Sequence, residues 1–178
     1  KSMTGKVVVA ASTTPRVTAL ASKWGLNHDT VQIGFKHIAS QMISEDVLIG
    51  GEESGGIAIK GHIPERDGIW MGLVIFEYMA KTGKSIEKLI EEVYTLVGEF
   101  KYWRDDLHIS NELKKEIIQK CSLGQFTKFG EYVVENTDTT DGFKYFFDNQ
   151  QWLMIRPSGT EPVLRCYAES HSVEAAQK

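Results

Sequence analysis

With 178 residues, 42% of them hydrophobic and 25% charged, the chain is long enough for one large domain or two small ones and has an ordinary globular composition. A formal net charge of −4 withholds the basic face that nucleic acid or an anionic membrane surface would need. No apolar run approaches the ~20 residues of a membrane-spanning helix, and Lys1-Ser2-Met3-Thr4-Gly5 lacks the apolar core of a signal peptide. Cys121 and Cys166 fit no metal-ligand spacing. They read as buried free thiols in a reducing compartment, so the cytoplasm is the expected location.

In chain order, Lys6 to Ala11 is a short β-branched run of the kind buried on both faces of a sheet. Ser12-Thr13-Thr14-Pro15 caps a helix carrying Val17, Leu20, Ala21 and Trp24, which Gly25 stops. Thr30 to Ile33 reads as a second strand, and a helix with Ile38, Ala39, Met42 and Ile43 on its apolar face follows Gly34. Asp46 to Ile49 is a third strand, and Ile57 to Lys60 a short return strand. Helices over Ile69–Ala80 and Ser85–Val97 are expected to close this half, and Gly98 marks its end. From Glu99 the pattern changes to one helix, Asn111 to Cys121, and grouped strands near Tyr132–Asn136, Phe143–Phe147, Gln151–Arg156 and Val163–Glu169. A serine-capped helix opens at Ser172, and its short length reads as truncation or a disordered end. The predicted fold class is therefore α/β. A three-layer α/β/α domain with a mixed, mostly parallel sheet (1–98) precedes a smaller α+β domain with an antiparallel sheet (99–178).

Two polar stretches follow apolar strands. Arg156-Pro157-Ser158-Gly159-Thr160-Glu161-Pro162 offers a guanidinium, two hydroxyls and a glycine between stiff prolines, a set suited to a phosphate dianion. In an extended segment Arg156, Ser158 and Thr160 share one side. Alone, the stretch describes a proline-bounded surface turn equally well. Gly50-Gly51-Glu52-Glu53-Ser54-Gly55-Gly56 offers acceptors instead, suited to sugar hydroxyls. Its bland alternative is an acidic solvated turn. Glu52 and Ser54, two apart, aim at one ligand, and Glu53 is turned away. The histidines show no spacing of a metal site or triad, and the tryptophans read as core or boundary residues.

Together, G-E-E-S-G and R-P-S-G-T-E-P, in this order and about a hundred residues apart, resemble the α-D-phosphohexomutase family, which includes phosphoglucomutase and phosphomannomutase. The resemblance spans nearly the whole chain but only the C-terminal half of such an enzyme. It implies that Glu52 and Ser54, with Gly51 and Gly55, hold the sugar's O3 and O4. It also implies that Lys36 of Gly34-Phe35-Lys36 and Arg66 of Arg66-Asp67-Gly68 lie at the substrate. Arg156, Ser158, Gly159 and Thr160 would form the phosphate-binding loop, with Arg165 either touching ligand or bracing the loop through Glu161. Some mannose-accepting members carry a histidine where Gly56 stands, which leaves the sugar open.

In the family the reaction starts from a phosphoserine in an S-H-N-type loop and needs Mg2+ held by a D-x-D-x-D-R loop. This chain has neither motif. His108-Ile109-Ser110-Asn111 reads as a helix cap, and Asp138 to Gly142 as a turn. No catalytic or metal-binding residue is therefore expected here. The implied partners are a hexose 1- or 6-phosphate, a bisphosphate intermediate and the missing N-terminal domains. The alternatives are a phosphoglucosamine mutase, which usually shows Gln in place of Glu53, and a non-catalytic sugar-phosphate binding module.

Overall fold

Val7 to Ala10 are four consecutive buried residues, and their burial has two sources because successive strand side chains face opposite ways. They belong to β1 (Lys6–Ala10). On one face, Val7 and Val9 pack with Ala21 of α1 (Pro15–Lys23). On the other, Val8 packs with Phe35 and Ile38 of α2 (Phe35–Ser44). Parallel strands β2 (His28–Val31) and β3 (Val47–Gly51) flank β1, and β4 (Ile57–Ile59) joins β3 antiparallel, in the order β2-β1-β3-β4. The sheet is mixed and mostly parallel, with helices on both faces, as the alternating pattern predicts.

The computed structural model describes residues 4–158 and 162–177, with Asn149 as backbone only. The chain divides into two units, Lys1–Glu99 and Phe100–Lys178. In the first, β2 lies two residues earlier than the sequence suggests, because the parallel register sets His28 against Val7 and Val31 against Ala10. β3 runs on through both glycines. A Cβ on Gly50 would stand 2.2 Å from Ile38 Cγ2, so glycine is what lets α2 lie this close.

α3 (Gly68–Thr82) and α4 (Ile86–Val97) form where expected, capped by Asp67 and Ser85, whose side chains accept from Trp70 N–H and Lys88 N–H. Neither helix contains a buried residue, and Ile69 and Phe76 stay 82% and 69% exposed, because α1 and α2 already cover β1. Arg16 is buried and donates from Nη1 to Val97 O at 2.7 Å, satisfying a carbonyl at the end of α4.

The second unit is an antiparallel sheet ordered β5-β11-β10-β9-β8: β5 (Lys101–His108), β8 (Asn136–Asp138), β9 (Phe143–Phe146), β10 (Trp152–Pro157) and β11 (Val163–Ser170). A small hairpin, β6 (Lys128–Phe129) with β7 (Tyr132–Val133), stands apart. α5 (Asn111–Ser122) lays Cys121 against Tyr145, Phe147, Ile155 and Leu164. α6 (Val173–Gln177) starts from Ser172, whose hydroxyl accepts from Ala175 N–H at 3.1 Å. Ser110 caps α5, accepting from Leu113 N–H. Sequence reading missed β5 and β6. Cys121 and Cys166 are free, and Cys166 is only half-buried rather than buried. Among the described residues no helix is long and apolar enough to cross a membrane.

Candidate functional site

The β3–β4 hairpin builds the acceptor loop from its own backbone. Gly55 N–H donates to Glu52 O at 3.1 Å, Glu52 N–H donates to Gly56 O at 2.9 Å, and Gly55 takes φ +87°, which favours glycine. Gly51 ends β3 opposite Ile57, and Ser54 is exposed at the tip. The turn delivers the Glu52 carboxylate, only 8% exposed, into a junction. Its Oε1 accepts from Gly34 N–H at 3.2 Å, at the start of α2. Its Oε2 accepts from Arg66 Nη1 at 3.5 Å, and the Arg66 guanidinium carbon lies 5.2 Å from the Phe35 ring centre.

One carboxylate thus gathers three separate segments: Gly34-Phe35, the glycine loop and Arg66. Lys36 is exposed in the first turn of α2, adding charge to a positive helix end. Glu53 turns inward and accepts from the buried Ser12 hydroxyl.

The segment before α3 is braced as well. His62 Nε2 meets Asp67 Oδ2 at 2.8 Å, and its ring stacks on Trp70 at 4.5 Å. The Trp70 amide and then His62 hold the Asp67 carboxyl below the usual aspartate range. Lys60 reaches Asp46 and Thr4 O.

The second polar stretch is a strand end. Arg156 and Arg165 face each other across β10 and β11, Arg156 paired with Asp141 and Arg165 near Asp106, which Arg104 already binds. Arg156 Nε donates to Asp141 Oδ1 at 3.1 Å. Arg165 Nε stands 3.8 Å from Asp106 Oδ2, and Arg104 beside Asp106 holds that carboxyl low. Ser158 is buried. Its N–H donates to Val163 O at 3.0 Å, and its carbonyl accepts from Lys114 Nζ at 2.7 Å. Gly159 and Thr160, like Glu161, lie outside the described residues.

Sequence reasoning missed Lys114 and Asp141. Lys114 stands in the first turn of α5, forty-four positions from its partner, and no local pattern links them. The Asp-Gly turn did mark the place of Asp141, and Gly142 at φ +90° confirms a turn that needs glycine.

A cavity of about 510 Å³ lies at the Trp152 end of β10, lined by Phe129, Tyr132, Phe147, Leu153 and Ala176 among others, and by none of the candidate site residues. A second, of about 460 Å³, is lined by Lys114 and Pro157 beside Ser158. Among the described residues no group of three His, Cys, Asp or Glu side chains could hold a metal ion.

Two family models cover nearly the whole chain. One describes phosphoglucomutase/phosphomannomutase, alpha/beta/alpha domain III, and matches residues 1–97. The other describes the C-terminal domain and matches 106–178. The chain belongs to the phosphoglucomutase/phosphomannomutase family.

Its relatives include a phosphoglucomutase/phosphomannomutase of Thermococcus kodakarensis, 29% identical over 98% of this chain and 36% of that protein. A phosphoglucosamine mutase of Methanococcus maripaludis is 28% identical over 97% of this chain and 37% of its own length. A crystal structure of a Thermus thermophilus protein assigned as a phosphomannomutase superposes with a TM-score of 0.78 at 30% identity, over 98% of this chain and 34% of that one. The chain therefore spans little more than a third of the mutases it matches.

Proposed function

We propose that the protein carrying this chain interconverts hexose 1-phosphate and hexose 6-phosphate in the cytoplasm, through a phosphoserine and a bisphosphorylated sugar. In this reading Glu52 and Ser54 accept from the sugar hydroxyls, Lys36 and Arg66 attract the sugar phosphate, and the Arg156–Thr160 loop with Arg165 grips the phosphate that is not being transferred. The nucleophile and the Mg2+ ligands are assigned to other domains of the protein, so this chain alone binds without turnover. The observation that carries the reading is the Glu52 junction. A nearly buried carboxylate shared by a helix N-terminus and an arginine is held in a fixed orientation, as hydroxyl recognition requires.

The sugar is glucose or mannose in the first reading. A glucosamine phosphate is the second, favoured by the relative named as a phosphoglucosamine mutase. A coupled assay of the intact protein on glucose 1-phosphate, mannose 1-phosphate and glucosamine 1-phosphate separates them. Turnover of either neutral sugar phosphate supports the first reading, and preference for the amino sugar supports the second. No turnover on any of the three contradicts both and leaves a binding module.

A further inference from the structure

The two glycines that end the acceptor loop do different work. Gly55 has a left-handed φ and nothing within 4 Å of the place a Cβ would occupy, so its role is the turn. Gly56 has no such φ, but a Cβ there would stand 2.6 Å from Arg66 Cδ, 3.1 Å from Arg66 Cγ and 3.4 Å from Glu52 Oε2. The Arg66 stem lies across the bare backbone of Gly56.

We propose that Gly56 is a positioning residue for substrate recognition: its missing side chain is the seat on which Arg66 lies to reach Glu52 and Phe35. The inference rests on the reading above, in which Arg66 takes the sugar phosphate, and adds what sets the arginine's place. From this seat the guanidinium faces the Phe35 ring and the Glu52 carboxylate, while its Nε donates to Glu65 Oε1 at 3.2 Å, and the three together restrict a long side chain before any ligand arrives. Any Cβ at position 56 lifts the stem, removes the guanidinium from Phe35 and Glu52 and frees Glu52 Oε2. Glu52 keeps its bond from Gly34 N–H. The Arg66 side chain is 53% exposed, so it yields into solvent and the fold is retained.

A double-mutant cycle in the intact protein tests this, with Gly56→Ala, Arg66→Ala and the pair, reading the Kd for glucose 1-phosphate. Each single change is expected to weaken binding about ten-fold, the scale of a charge-assisted hydrogen bond, and the pair no more than Arg66→Ala alone. Gly56→Ser is expected to repeat the Gly56→Ala result, and both should melt with the wild type.

If Arg66→Ala weakens binding while Gly56→Ala does not, or the losses multiply in the pair, the seat is wrong and the assignment of Arg66 stands. Wild-type affinity in Arg66→Ala removes the assignment and the seat with it. Early melting of both Gly56 variants also overturns the proposal, because Gly56 would then serve the fold rather than the arginine.

Discussion

The Glu52 loop and the Arg156 strand end both follow apolar strands and both present polar groups, yet they are held in place differently. The first is shaped by bonds inside one hairpin, Gly55 to Glu52 and Glu52 to Gly56, before any distant residue joins. The second depends on side chains from elsewhere in its unit. Asp141 comes from the turn before β9 to hold Arg156, and Lys114 comes from α5 to hold the Ser158 carbonyl. A short loop can place acceptors locally. Two arginines facing each other across a sheet repel, and the fold brings Asp141 to Arg156 and sets Asp106, shared with Arg104, near Arg165.

That contrast can be broken at several points. The largest effect is expected far from the phosphate, at the other end of β10. Trp152 is 1% exposed, and Trp152→Ala should cost about 3–5 kcal/mol in urea denaturation. It should also abolish inorganic phosphate binding if the strand end depends on its whole unit. Phosphate binding that survives would show the strand end to be as self-contained as the hairpin.

Gly50→Ala tests the first unit's support. Its Cβ would collide with Ile38 Cγ2, and the overpacking should cost about 1–3 kcal/mol. A neutral result would mean that α2 does not fix the loop. Asp141→Asn should weaken phosphate binding about five-fold by releasing Arg156, without loss of melting temperature beyond a few degrees.

The smallest effect is a pH dependence. The Asp67 carboxyl is held below its unfolded value, so it stabilises the fold at pH above the ~3.9 of a free aspartate. That contribution disappears as the pH falls through the depressed value. Asp67→Asn should therefore lower the melting temperature at pH 7 by an amount that shrinks as the pH falls below the ~3.9 of a free aspartate. A gap that persists in acid would assign the loss to packing.

Much of this arrangement was legible in the residues. β1 announced itself as Val-Val-Val because it is covered on both faces, and the caps at Thr14 and Ser110 follow from side chains that compete for free N–H groups. β5 was not legible. Lys101-Tyr-Trp-Arg-Asp-Asp-Leu-His is an edge strand, and edges carry charge on either face, so neither alternation nor an apolar run survives to mark it. The apolar stripe of α4, with Ile86, Leu89, Ile90, Val93 and Val97, was visible, but a stripe does not say that a partner will cover it. In the candidate site, Glu52 and Arg66 stand out as motif letters. Their shared bond, the Gly56 seat and the Lys114–Ser158 contact arise only when distant segments meet.

The central claim is that the Glu52 junction recognises sugar, and a backbone-amide NMR titration of this chain tests it most directly. Glucose 1-phosphate, mannose 1-phosphate and inorganic phosphate would be added in turn. The account expects the amides of Gly34 and Gly51–Gly56 to shift with the sugar phosphates and not with inorganic phosphate, while Ser158 shifts with all three. Equal shifts for the three ligands, confined to Arg156–Ser158, would contradict it by leaving a phosphate grip that reads no sugar.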